Sequence, residues 1–140
     1  MDYHASTNRV YVASRTPKRI QVLSGADGSE VGALLTDTVT NDTGGETGFD
    51  LNMVGVAADG AIYACNLSNI NTGAGFKIYQ WPEDAPDITP GVLYGNGLGE
   101  GNPIGSRIGD TMDVRGAGPQ TEIVCGARTT NQFVVFTVNA

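Results

Sequence analysis

Histidine, cysteine and positive charge are scarce in this chain, and helical periodicity is missing from it. One histidine and two cysteines among 140 residues offer little material for a zinc site or a disulfide framework, both of which need clustered ligands. Eight basic residues against fifteen acidic ones give a formal charge of −7, which argues against nucleic acid and anionic membranes as partners. No run is long and apolar enough to span a bilayer, and the opening MDYHASTNRV has no apolar signal-peptide core. If the protein is exported, its signal lies outside this sequence. No stretch carries apolar residues at helical spacing over three turns, so an all-β fold is expected.

Glycine is plentiful, at twenty residues, and separates short runs of alternating apolar residues. The length suffices for one domain with a real core. The acidic groups are scattered singly over turn-like segments, as solubility requires, and point to no substrate.

The stretch from Met53 to Trp81, MVGVAADGAIYACNLSNINTGAGFKIYQW, organises the chain. It reads as strand, Asp59-Gly60 hairpin turn, strand, polar loop, strand. Similar triplets lie before and after it. The second strands align as Val10–Ala13, Ile62–Cys65 and Ile123–Gly126, and the third as Ile20–Leu23, Phe76–Tyr79 and Phe133–Phe136. First strands are expected at Asp2–Ala5, Leu51–Val56 and Thr111–Arg115, and fourth strands at Glu30–Leu35 and Gly91–Tyr94. Units repeat at about 50–60 residues, a spacing compatible with four-strand blades carrying loop insertions. Asp37–Gly48 and Gly95–Gly109 are polar, Gly-rich connectors from a fourth strand to the next first strand. A radial array of such sheets is a β-propeller. The expected architecture is one domain of three blades (about 1–36, 37–98 and 99–140), the last without its outer strand.

The segments NRVYVASR, GAIYACNLS to FKIYQW, and GDTMDVRGAGPQTEIVCGAR resemble blades of a bacterial propeller family of unknown function, domain of unknown function 4623. The resemblance covers nearly the whole chain. It implies a partial propeller, since family members generally carry more blades, and an extracellular or cell-surface bacterial protein. It brings no catalytic residues.

The residues that can carry chemistry are few. Cys65 and Cys125 sit one register apart in equivalent strands, so alternation points them to opposite faces of their blades. Free, buried thiols are expected rather than a disulfide, which needs Cα atoms within about 7 Å. His4 lies near a chain end without a nucleophile-elbow motif, where mobility would hinder catalysis. Asp27-Gly28 and Asp59-Gly60 lack the DxDxDG calcium pattern and read as hairpin turns. Asn41-Asp42-Thr43 and Asn66-Leu67-Ser68 match the glycosylation acceptor pattern. Phe76, Tyr79 and Trp81 read as core between blades, although Trp81, preceding Pro82, can also be drawn as a stacking platform for a sugar ring.

Asp50 and Asp110 each directly precede a first strand. In an antiparallel blade the start of strand one and the end of strand two share an edge. Ser14, Arg15, Asn66, Ala127 and Arg128 therefore fall on the same face, rimmed by the loops after the second strands. Asp50, Asp110, Arg15, Asn66 and Arg128 can bind a polar small molecule or glycan there. Alternatively, the aspartates cap backbone N–H groups in their turns and pair with Arg15 and Arg128.

The expected function is a non-catalytic binding or scaffolding module, with no catalytic residue, metal or cofactor assigned. The alternative is a carbohydrate-active enzyme or lectin using the Asp50 and Asp110 face. The expected partner is the chain itself. Propellers have four to eight blades, and three cannot close a ring. A homodimer gives six blades, a trimer nine, or a longer natural chain supplies the missing ones.

Overall fold

The computed structural model describes residues 1–40, 48–68, 75–95, 103–104 and 107–138, and each strand expected from apolar alternation is present. β1 (Asp2–His4), β2 (Arg9–Arg15), β3 (Lys18–Ser24) and β4 (Glu30–Leu34) pair in sequence order as an antiparallel meander. β5 (Gly48–Val56), β6 (Ile62–Ser68), β7 (Ile78–Trp81) and β8 (Gly91–Tyr94) form a second, and β9 (Ile108–Arg115), β10 (Glu122–Ala127) and β11 (Phe133–Thr137) a third. Among the described residues the only helical turn is 3-10, over Gly118–Gln120. The protein is therefore all-β, built of curled antiparallel sheets. None of its helices is long and apolar enough to cross a membrane, among the described residues.

Two details depart from the sequence pattern. Phe76 and Lys77 precede β7 rather than opening it. There the Asn66 side chain accepts from the Lys77 N–H at 2.9 Å and donates to the Gly75 carbonyl at 2.7 Å. A buried side-chain amide thus meets backbone groups that a longer ladder would have paired. The second and third meanders are also not separate sheets, since Ser68 of β6 bridges Ile108 of β9. The two sheets converge to pairing distance at that end.

Side-chain alternation divides the core in two. Ile62 and Ala64 of β6 point into one cluster with Tyr11, Ile20, Val22 and Leu34 of the first meander. Tyr63 and Cys65 point the other way, into a cluster with Ile108, Ile123 and Cys125 of the third. β7 divides likewise: Ile78, with the preceding Phe76, faces the second cluster, while Tyr79 and Trp81 face the first. In β5 a register shift between Phe49 and Met53 allows Leu51, Val54 and Val56 to share the first cluster despite their uneven spacing. Phe76, Tyr94 and Phe136 form an aromatic trio with centroid separations of 4.7–6.2 Å. Trp81 is wholly buried and its indole N–H donates to the Leu35 carbonyl at 3.0 Å, which assigns it to the core and not to a sugar platform.

Polar groups tie the first meander to the second. Asp2 accepts the Val56 N–H at 2.7 Å. The Asp84 carboxylate, in the bend between β7 and β8, pairs with Arg9 and accepts from the Tyr11 hydroxyl at 2.9 Å. Burial first, then the hydrogen bond to the Asp84 carboxylate, pushes the Tyr11 phenol up to about 12.

A raised phenol pKa means that the unfolded chain ionises first as pH rises, and that ionisation draws the equilibrium away from the folded state. The contribution is whole below about pH 10 and disappears as pH rises through the folded value, a loss of roughly 2 kcal/mol across that window. Urea unfolding at stepped alkaline pH should show a steeper loss in the wild type than in Tyr11→Phe, where the buried Tyr63 phenol, also raised, leaves a smaller slope. Identical slopes would exclude Tyr11 as its source.

Candidate functional site

The five residues singled out from sequence do lie at one end of the sheets, but their partners differ from the expected ones. Arg15 closes β2, Asp50 lies near the start of β5, Asn66 lies near the end of β6, and Asp110 lies in the first turn of pairing of β9. Arg128 follows β10 directly, and its backbone N–H donates to the Arg107 carbonyl at 3.1 Å. Antiparallel chain direction alone gathers these positions, because first strands begin where second strands end.

Asp50 pairs with Lys18 at 3.5 Å, across the boundary between the first and second meanders. Lys18 also donates to the Val39 carbonyl at 2.5 Å. Asp110 takes a bidentate pair from Arg107, at 2.7 Å from Nε and 2.5 Å from Nη2. That hydrogen-bonded carboxylate raises the Arg107 pKa. The cations expected for these aspartates, Arg15 and Arg128, go elsewhere. Arg15 donates from Nε to Asn52 Oδ1 at 2.7 Å, and its guanidinium carbon stands 4.2 Å from the centre of the Phe49 ring. The Arg128 side chain is at the exposed end of the third meander.

Asn52, which the sequence did not single out, connects the three units. It accepts from Arg15 of the first meander and donates to the Gly109 carbonyl of the third. Gly109 allows the close approach: its φ is +95°, and a Cβ there would stand 2.1 Å from the Asn66 carbonyl oxygen. No local motif marks Asn52, since its two partners are 37 and 57 residues distant. Asn66 is completely buried and structural, which also removes it as a glycosylation acceptor. The other acceptor, Asn41, lies outside the described residues, as do 69–74, 96–102 and 105–106 of the connectors.

Among the described residues, this end presents to solvent the Phe49 ring, 41% exposed, beneath the Arg15 guanidinium, together with the Lys18–Asp50 pair and Arg128. A planar cation over an aromatic face, next to a half-exposed carboxylate, can contact hydroxyl groups and the apolar face of a sugar ring.

The remaining candidates take structural positions. His4 is held rather than mobile: it is buried against Gly60, and its ring nitrogens meet Thr7 Oγ1 at 3.0 Å and Ser6 Oγ at 3.1 Å. Asp27 and Asp59 hold turns as read, and Asp59 also accepts the Gly118 N–H of the third meander at 2.7 Å. Cys65 and Cys125 are free and completely buried. They are nevertheless in contact, and the Cys125 sulfur, followed by burial, holds the Cys65 thiol well above the ordinary thiol range. Opposite faces of neighbouring sheets are the faces that meet on stacking, so the one-residue register difference brings the thiols together.

No protein-family model, curated protein or solved structure matches this chain.

Asn52→Ala should destabilise the fold by about 2 kcal/mol, because it leaves a buried carbonyl and the Arg15 N–H without their partner. Asp50→Asn and Asp110→Asn, at half-exposed pairs, should each cost less than about 1 kcal/mol. Denaturant midpoints test the ranking, and an aspartate variant costing more than Asn52→Ala would reverse it.

Proposed function

We propose that the chain is three blades of a β-propeller, of the bacterial family typified by domain of unknown function 4623. It acts as a non-catalytic binding or scaffolding module that closes into a ring with a second copy of itself. The observation that carries this reading is the contrast between the inner and outer sheet faces. The central strands β6 and β7 of the middle meander are covered on both sides, with exposed large apolar side chains only toward its ends at Phe49 and Val92 among the described residues. The outward faces of the first and third, in contrast, present apolar side chains to solvent. On the third, Phe133 is 70% and Val135 47% exposed, next to Val124 and Gly126 in register. A cleft of about 270 Å³ runs along this face between Asp113, Arg115, Glu122, Val124 and Val135. On the first, the cross-strand row Tyr3, Val10 and Leu23 faces outward, with Tyr3 51% exposed.

Both faces have apolar centres edged by ion pairs, Arg115–Glu122 on one and Arg19–Glu30 on the other. Stacking the third-meander face of one copy on the first-meander face of another repeats the contact already made inside each chain. Two copies then give six blades, within the four to eight that close a ring. It would also cover apolar surface of the kind that monomers rarely leave contiguous. An exported, bacterial setting rests on the family resemblance alone.

A polar small molecule or glycan is the ligand that suits the Arg15, Phe49 and Asp50 end, and a lectin-like role is favoured there over an enzyme because both aspartates sit beside cations. A glycan array probed with wild type and Phe49→Ala addresses that part.

Light scattering at micromolar concentration should give a dimer for the wild type. Phe133→Glu with Val135→Glu should give a folded monomer, since both side chains are exposed within one chain. A wild type that is monomeric and melts cooperatively would refute ring closure.

A further inference from the structure

Sulfur is concentrated between the second and third meanders. Cys65 and Cys125 are in contact there, and each has a methionine directly opposite it on the neighbouring strand. Met53 faces Cys65 across β5 and β6, and Met112 faces Cys125 across β9 and β10. Directly opposed residues of an antiparallel pair project from the same side of the sheet. Both methionines therefore flank the thiols: Met112 belongs to the same buried cluster and Met53 packs against it. The Met112 methyl lies 3.5 Å from where a Cβ of Gly55 would stand, on the strand that carries Met53. Both cysteines and two of the chain's three methionines thus converge on one boundary. No three His, Cys, Asp or Glu side chains gather to hold a metal among the described residues, so the sulfurs are the ligands on offer.

Two facing thiols can be joined by a disulfide or by an ion. A disulfide demands a narrow range of Cα and Cβ separations and a fixed dihedral angle, and the two thiols are not joined here. A two-coordinate ion between the sulfurs spans a wider gap. Thiolate and thioether ligands select soft cations, Cu(I) foremost.

We propose that Cys65 and Cys125 form a buried site for a soft monovalent cation, Cu(I), with the Met53 and Met112 thioethers as flanking ligands. On binding, each thiol loses its proton to solvent and its sulfur lone pair binds the ion. The Met53 backbone N–H, which donates to the Cys65 sulfur, supports the thiolate as an outer-shell donor. The ion would fasten the second meander to the third at a point remote from the Arg15 end. Because the site is fully buried, loading is slow or accompanies folding.

The test titrates the reduced, full chain with Cu(I) in competition with bicinchoninate, and repeats it with redox-inert Ag(I). The expected result is one ion retained per chain in native mass spectra, thiolate-to-metal charge-transfer absorption with Cu(I), and a raised melting temperature. Cys65→Ser and Cys125→Ser should each abolish retention. Met112→Leu, which conserves volume, should weaken it by about tenfold, the scale of a supporting ligand. The proposal fails if the folded, reduced wild type yields all its copper to bicinchoninate. It also fails if Cys65→Ser retains the ion as well as the wild type, or if the thiols are lost to a disulfide instead.

Discussion

Burial of β6 on both faces is the constraint on which the rest of the structure depends. All seven residues of Ile62–Ser68 are buried, so this strand needs an apolar layer above it and another below. One isolated meander cannot supply either layer. The first meander covers Ile62 and Ala64, and the third covers Tyr63 and Cys65. Full burial of a large aliphatic or aromatic side chain contributes about 1.5–3 kcal/mol, and β6 and β7 supply such side chains to both clusters. The stacking order of the three units follows from that division, with the middle unit as the shared layer.

Stacking apolar faces sets sheets together without fixing how far one slides on the other. Directional contacts at the ends do that. Arg15, Asn52 and Gly109 form a hydrogen-bonded chain through all three units at one end. Asp2 on Val56 and Asp59 on Gly118 join neighbouring units at the other. The acidic excess, scattered over turns, is thereby partly structural: several carboxylates accept N–H groups that strand ends leave unpaired. The same contacts occupy the polar end that a ligand would approach, and among the described residues Phe49, Arg15, the Lys18–Asp50 pair and Arg128 combine exposure with recognition chemistry.

Much of the fold was legible because strand alternation is a local property. The apolar positions of Val10–Ala13, Ile20–Leu23 and Ile123–Gly126 identify strands, and Asp27-Gly28 and Asp59-Gly60 identify the turns between them. The gathering of Asp50, Asp110, Arg15, Asn66 and Arg128 at one end was also legible, since it needs only strand order and antiparallel direction. Their partners were not. Lys18 reaches Asp50 across a unit boundary, and Asn52 joins residues far apart in sequence, so no spacing announces either contact. The displaced start of β7 has the same origin: a buried Asn66 amide substitutes for ladder bonds, and nothing in FKIY signals it.

The sequence by itself determined the strands, their turns and, outside the irregular β5, the face each side chain takes, because these follow from the two-residue period of an extended chain. Tertiary structure alone decided which faces meet, and with them the carboxylate partners, the bridge from Ser68 to Ile108 and the contact of Cys65 with Cys125. Those outcomes depend on how far apart stacked sheets stand and how they converge. That distance is set by the summed volumes of side chains from three separate units, a quantity that no local stretch of sequence contains.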